Sequence, residues 1–374
     1  MLYVLFALVA GIQSLLLSPK PFQEGGIEYS SYNNYVIFSQ SFHHLKDNQD
    51  LYIAYPEEHW DLFKYTPTFS AFFGLFTIFP DWLGLNLWNL LNAFVLLLAI
   101  YYLPGLENRQ KGWVLLIVLM EFMGSVMCEQ SNALIAGLLV LSFGLLENKR
   151  YLIASLFIVL TVFIKLFGVV GFALFLFYPQ KWKLALYSLG WTLFMLLIPF
   201  IFIDYDHYLA LISSYGNMLG NDLMISNGFS VMGWLNSWFS LNVSSLLVVL
   251  TGAGVFLLPL ARFKAYKYFS FRYLTLASIL LWIVIFNHKA ESPTYIIAMT
   301  GVALWFMKGE KNPLNIVLMA LALLFVSLAS TDLFPIDLRK GFIKPYALKA
   351  FPCILIWIKI IYDMILLKTD SPST

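Results

Sequence analysis

Charge is what this 374-residue chain has least of: Asp, Glu, Lys and Arg together make up 12% of it. A soluble domain carries roughly 25%, so the chain lacks the means to cover a water-facing surface. Cysteine is nearly absent, with only Cys128 and Cys353 present. Nothing in the sequence places those two together, which favours free thiols over a disulfide framework. No basic run occurs and the net charge is +2, which argues against nucleic acid as a partner. A phosphate-cradling Walker loop, a G-x-S-x-G elbow and an H-E-x-x-H pair are all missing. His43 and His44 are adjacent, so they do not share a helix face as i, i+4 metal ligands would. There is no internal repeat and no low-complexity segment.

What is present is apolar. Hydrophobic residues make up 60% of the chain, and runs near the ~20 residues that cross a ~30 Å hydrocarbon core recur along it. This composition predicts an all-α polytopic membrane protein, one integral-membrane domain over residues 1–374. Residues 1–18 lack a basic n-region and an A-x-A site, which predicts a retained first span, not a signal peptide. Short loops bearing Arg109 and Lys111, Lys149 and Arg150, Lys181 and Lys183, Arg262 to Arg272, and Lys308 and Lys311 mark the cytoplasmic side, and Lys368 closes the series. An even number of spans must separate successive basic loops. That rule gives about twelve transmembrane helices with both termini cytoplasmic, as in a plasma (inner) membrane protein. It also makes 19–64 a large first outer loop, with further outer loops at 204–242 and 331–350. Parity then leaves 66–80 as an interfacial helix, since a span there would put Arg109 and Lys111 outside. A loop as long as 19–64 usually carries function.

Ionisable groups at membrane depth cost on the order of 2.5–3.5 kcal/mol each, so they are retained for a purpose. Lys165 stands in TVFIKLFGVV with no nearby charge. Counting from Tyr151 at ~1.5 Å per residue places it ~21 Å from the cytoplasmic edge. It reads either as a snorkelling lysine or as a cation for a phosphate held at the outer interface. The run CEQSN contributes Glu129, Gln130 and Asn132 between two spans, although Asn132 is also a plain helix cap. NHKAES brings His288, Lys289 and Glu291, or is simply a polar turn. Asp61 and Lys64 precede the interfacial helix, where lipid headgroups meet protein. Trp60, Tyr65 and Tyr55 suit sugar stacking or interface anchoring.

Taken together, these motifs resemble glycosyltransferase family 87, polyprenyl-phosphate-sugar-dependent transferases of the GT-C fold. The family's D-F-x-V-Y, G-x-D-P-Y and Y-P-P-L-F elements look like NYVIF (Asn34–Phe38), NQDLY (Asn48–Tyr52) and FKYTPTFSAFF (Phe63–Phe73), with SFHHL after the first. Its G-Q-x-N looks like Glu129-Gln130-Ser131-Asn132, and its apolar-Lys element like Phe163-Ile164-Lys165. The likeness runs from about residue 28 to 185 and more faintly through His288. It implies a GT-C-like bundle with interfacial helices in the first outer loop. It also implies a membrane glycosyltransferase moving a sugar, mannose or another hexose or pentose, from a polyprenyl phosphate to an acceptor glycan or lipid on the outer face. Lys165 and Lys64 would then hold the lipid phosphate, Asn34 and Gln130 would orient sugar or acceptor, and Asn132, His288 and Glu291 would line the site. Some GT-C enzymes use a divalent metal and others none. The family's catalytic aspartate falls on Asn34, and an amide cannot accept a proton. Glu129 is the first candidate for the missing base, followed by Asp61, Glu58 and Glu28, with Glu291 also available. Two alternatives follow: a flippase for a lipid-linked sugar, which would show inverted repeats, and a catalytically inactive subunit on the same fold.

Overall fold

The structure, a computed structural model, describes residues 1–22, 26–222, 227–331 and 333–367. The chain is overwhelmingly helical, and its only sheet among the described residues pairs β1 (Lys20–Pro21) with β2 (Glu28–Tyr29), antiparallel. In chain order the α-helices begin with α1 (Leu2–Leu16), α2 (Asn33–Lys46), α3 (Pro67–Thr77) and α4 (Asp81–Tyr102). Next come α5 (Asn108–Val126), α6 (Asn132–Glu147) and α7 (Tyr151–Ile164), which Lys165 breaks before a 3₁₀ helix over Leu166–Phe177. They are followed by α8 (Lys181–Leu197), α9 (Tyr205–Asp222), α10 (Val231–Phe239), α11 (Ser245–Leu260) and α12 (Phe269–Ile285). The last are α13 (Tyr295–Lys308), α14 (Pro313–Ala322), the single turn α15 (Ile336–Leu338) and α16 (Ala350–Leu366).

Three helical stretches, Asp81–Tyr102, Lys181–Ile201 and Pro313–Ser330, are long and apolar enough to cross a membrane by length and composition. Six shorter apolar helices accompany them, including α1, α6, α7 and the 3₁₀ segment. Apolar side chains cover much of the outside. On α8, Leu186, Leu189, Leu193 and Leu197 are all more than half exposed and repeat at helical spacing. In water such a stripe would be an aggregation hazard; against lipid tails it is the expected surface. The chain is a helical membrane protein.

Aromatic packing fixes the first loop onto this bundle. Phe38 of α2 meets the rings of Tyr65, Phe69 and Phe73 at 4.9, 5.3 and 5.2 Å, each edge-on, and Trp88 of α4 at 6.0 Å. Edge-to-face pairs of this kind contribute about 0.5–1.5 kcal/mol each beyond burial. Helix α3 starts cleanly because Thr66 caps it, accepting from the Phe69 amide at 3.2 Å, and Pro67 occupies its first turn. At 11 residues it is roughly 16 Å long, too short to cross a ~30 Å core. Its buried face includes Phe69, Ala71, Phe73 and Phe76.

A ladder of asparagines on α4 stitches the helices around the site. Asn89 Nδ2 reaches the carbonyls of Ala7 on α1 (3.4 Å) and Val126 on α5 (3.3 Å), and Asn92 Oδ1 accepts from the Leu134 amide of α6 at 2.9 Å. Interhelical amide bonds of this sort act as glue between membrane helices. Gly137 lets α6 approach α4 closely: a Cβ there would sit 3.0 Å from the Leu96 backbone nitrogen.

Three segments read as loops are in part folded. The first loop contains the β1–β2 pairing and the 14-residue α2. The stretch 204–242 holds the helices α9 and α10; Asp204 immediately precedes the first, and its carboxylate accepts from the His207 amide. Residues 331–350 hold the short α15 and a π turn over Arg339–Ile343. Lys368 lies outside the described residues.

Candidate active site

Three chain segments meet where α5 turns into α6. The α7 helix ends at Lys165, which adopts an extended conformation (φ −141°, ψ 129°) and so breaks the helix there. Its Nζ donates to Asn132 Oδ1 at 3.0 Å and Gln130 Oε1 at 3.3 Å. Tyr65, from the end of the first loop, closes the group: its ring lies 5.2 Å from Lys165 Nζ, and its hydroxyl contacts Ser131 Oγ at 3.2 Å and Gln130 Oε1 at 3.4 Å. The Thr66 hydroxyl donates to the Phe163 carbonyl, tying the start of α3 to the last turn of α7. Lys165, Gln130 and Asn132 are therefore brought together as the sequence suggested, and Tyr65 joins them as a direct contact.

Directly beside this polar group is an apolar cavity of about 240 Å³. Phe69 and Phe72 of α3, Leu134 of α6, Phe163 and Ile164 of α7, and Met195 of α8 are among its walls. Phe69 stacks on Tyr65 at 4.4 Å, and Ile164 immediately precedes Lys165, so head group and cavity share their boundary. A cation with amide partners above an apolar slot suits an amphiphile with an anionic head.

Glu129 turns the other way. It holds a left-handed backbone (φ 47°), and its carboxylate is buried, accepting from Ser14 Oγ of α1 at 2.9 Å. Its own carbonyl accepts from the Trp88 indole at 2.8 Å. The left-handed turn sends Glu129 toward α1 and α4 while Gln130 and Asn132 face Lys165. Burial pushes the Glu129 carboxyl up to about 8, against smaller opposing effects of the Ser14 bond and the Lys20 charge. Such a group binds its proton more readily in the folded state than in the unfolded one. Stability is therefore fullest below the ordinary value of 4.5 and falls as pH rises through about 8. The thermal midpoint of the purified protein is expected to drop across that window, and to drop less in Glu129→Gln. Equal slopes in the two proteins would contradict the buried assignment.

Asn34 is a clamp. Its Nδ2 donates to the Cys128 carbonyl at 2.8 Å, holding α2 against the CEQSN turn. Neighbouring Asn33 is locked onto the Trp60 backbone through both amide atoms, at 2.7 and 2.9 Å. An aspartate at 34 would set a carboxylate oxygen against the Cys128 carbonyl oxygen, exchanging a bond for a repulsion. Asn34→Asp is expected to lower stability by about 1–3 kcal/mol without raising any transfer rate, checked by thermal unfolding beside an activity assay. A rate increase would restore position 34 to the role of base.

The remaining candidates are dispersed. Asp61 Oδ2 pairs with Lys64 Nζ at 2.9 Å on the exposed surface. Glu58 meets His44 Nε2 at 3.0 Å, with His44 stacked 3.9 Å over Tyr55. Glu28 is exposed at the β2 strand. The charges that act on Lys165 are those of Glu291 and Lys64, and Glu291 is also felt at Tyr65 and Cys128. The NHKAES turn that carries Glu291 and His288 is anchored by the Phe229 amide, which donates to the Ala290 carbonyl at 2.8 Å. Gly228 there has φ +49°, and a Cβ on it would come within 2.7 Å of the His288 carbonyl oxygen. Among the described residues no three His, Cys, Asp or Glu side chains gather as a metal would require, and a cation flanked by amides does not fit one.

Sequence reasoning missed a buried ion pair next to this turn. Lys349 Nζ lies 3.0 and 3.2 Å from the Glu121 carboxylate oxygens and also donates to Ser292 Oγ (2.6 Å) and Ser330 Oγ (2.9 Å). Both side chains are under 5% exposed. The signal was available, since Glu121 is a lone carboxylate in the apolar run LLIVLMEFMG, just as Lys165 is a lone cation.

Comparison with known proteins bears on this arrangement. A search of curated proteins gives no match. Among solved structures, the crystal structure of ArnT from Cupriavidus metallidurans bound to undecaprenyl phosphate is similar at 15% identity and a TM-score of 0.38, over 98% of this chain and 77% of that one. The sequence profile of glycosyltransferase family 87 matches residues 63–331. That range takes in Lys64, Tyr65, the CEQSN turn, Lys165 and the NHKAES turn, and reaches far beyond residue 185, while Asn34 falls before it. On that match, the chain belongs to glycosyltransferase family 87.

Proposed function

We propose that this membrane glycosyltransferase moves a sugar from a polyprenyl-phosphate donor to an acceptor hydroxyl on a glycan or lipid, at the outer face of the plasma membrane. The observation that carries this reading is the Lys165 group seated on the apolar cavity. The donor phosphate would take a charge-assisted bond from Lys165 Nζ, and the proximal isoprenoid chain would occupy the slot between α3 and α7. Lys64 adds positive charge at the same end. Gln130 and Asn132 hold the ammonium in place and, with Asn34, border the space left for sugar and acceptor. His288 would line the far side.

In the reaction the acceptor oxygen bonds to the anomeric carbon while the bond from that carbon to the phosphate oxygen breaks. The electron pair leaves with the phosphate, whose added charge the lysine stabilises. The acceptor proton needs a base. We assign it to Glu291, the carboxylate that acts on Lys165 and Tyr65, because Glu129 is engaged with Ser14 and Asn34 is an amide. A GT-C-like bundle of about twelve spans, with both termini cytoplasmic and α3 in the outer interface, would put these groups together at one face.

The experiment is transfer by the purified protein from polyprenyl-phosphate sugars, with mannose and other hexoses and pentoses as donors. Glu291→Gln is expected to lower kcat by about 10²–10⁴-fold with KM for the donor little changed. Full activity in that variant would remove Glu291 from the mechanism. Absence of covalent product with every donor, together with movement of labelled lipid across the bilayer, would favour a flippase.

A further inference from the structure

The face opposite Lys165 carries a second recess that the transferase reading does not use. The 3₁₀ helix leads from Lys165 to Tyr178, and its 12 residues at ~2.0 Å each separate the two ends by roughly 24 Å. There a cavity of about 690 Å³ opens, lined by Lys181, Lys264, Lys267, Phe263, Tyr266 and Tyr268. The lysines come from two segments some eighty residues apart in sequence, the start of α8 and the 3₁₀ helix Phe263–Lys267. Topology alone accounts for basic residues in each segment, but not for their convergence on one cavity.

The recess is built, not incidental. Behind it Arg272 forks onto Glu147, with Nε–Oε1 at 2.6 Å and Nη2–Oε2 at 2.7 Å. The same pair fixes both walls: the Tyr178 hydroxyl donates to Glu147 Oε1 at 2.6 Å, and Arg272 Nη1 donates to the Tyr266 carbonyl at 2.9 Å. Phe177 packs edge-on against Tyr266 at 4.8 Å. With Glu147 neutralised by Arg272, the three lysines leave the recess net positive. At its rim Phe263 is 74% exposed, and Trp182, beside Lys181, is 89% exposed. Aromatic side chains that project in this way beside lysines suit the headgroup level of a bilayer.

We propose that this recess binds the phosphate-bearing headgroup of an anionic membrane lipid, with Lys181, Lys264 and Lys267 on the phosphate and Phe263 against the upper acyl chain. Basic pockets between spanning helices on the side of the basic loops are where such headgroups dock. The apolar rim selects a lipid over a free anion, since inorganic phosphate gains nothing from Phe263.

The test is direct binding by the purified, detergent-solubilised protein, using dioctanoyl phosphatidylglycerol, dioctanoyl phosphatidylcholine and inorganic phosphate as probes. The expected result is saturable phosphatidylglycerol binding that weakens with salt, at least tenfold tighter than binding of the other two. Each lysine contributes near the surface, so K181Q/K264Q/K267Q should lose roughly tenfold to a hundredfold in affinity for phosphatidylglycerol. The substitutions are at exposed positions, and K308Q/K311Q in another basic stretch should bind like the wild type. Equal binding of the two lipids would overturn the proposal. So would undiminished phosphatidylglycerol binding in the triple variant, or inorganic phosphate binding as tightly as the lipid.

Discussion

Lys165→Met is expected to lower kcat/KM for transfer from a polyprenyl-phosphate sugar by about 10²–10³-fold while leaving the protein folded. The ammonium has three N–H donors, and the geometry engages two of them with Gln130 and Asn132. The third is available for a phosphate oxygen whose charge grows as the glycosidic bond breaks. An interaction that strengthens in the transition state contributes to rate more than to ground-state binding, so the loss should be seen in kcat as well as in KM. Methionine keeps most of the length and all of the apolar stem. The two amide oxygens lose a partner, but the cost of burying a cation disappears too, so the unfolding midpoint should move little. A lysine that merely snorkels toward headgroups would give the opposite pattern, with activity intact. Single-turnover rates beside thermal unfolding separate the two.

Lys349→Met is expected to destabilise the protein by about 3–5 kcal/mol, because removing one partner leaves the Glu121 carboxylate buried and uncompensated. Adding Glu121→Leu should recover most of that loss, since an apolar pair of similar volume is often as stable as a buried ion pair. Activity should not recover with it, since the double variant still lacks the bond from Lys349 to Ser292. Lys349 also holds Ser292, the residue after Glu291, so the single variant loosens the turn that carries the proposed base. The contrast with Asp61–Lys64 is instructive: that pair is a third to a half exposed and contributes about 0–1 kcal/mol at most. Denaturant unfolding of the two single variants and the double variant tests the coupling. A double variant as unstable as Lys349→Met alone would contradict it.

The membrane class was legible from charge scarcity, and Lys165 from its isolation in an apolar run. The meeting of Lys165 with Gln130 and Asn132 followed from reading two helix breaks as facing one membrane side. The short length of α3 agrees with the breaks that Pro67 and Pro80 mark in the sequence. What the sequence concealed was direction. Glu129 and Gln130 are neighbours, and only the left-handed turn at Glu129 sends one carboxylate to Ser14 and the next amide to Lys165. Asn34 looked like a lost aspartate because motif alignment cannot show that its amide is already donating to the Cys128 carbonyl. Glu121 and Lys349 lie more than two hundred residues apart, so their pairing belongs to tertiary structure alone. The helices α9 and α10 were obscured because neither carries a membrane-length apolar run: α9 is interrupted by polar residues and α10 has only nine residues.

The central claim is that Lys165 and the cavity beside it bind the phosphate and first isoprenoid units of the donor lipid. It is tested most directly by comparing the affinity of the purified protein for a polyprenyl phosphate and for the matching polyprenol, in wild type and Lys165→Met. The expected result is strong preference for the phosphate in the wild type and near-equal affinities in the variant. An undiminished preference for the phosphate in Lys165→Met would contradict the claim.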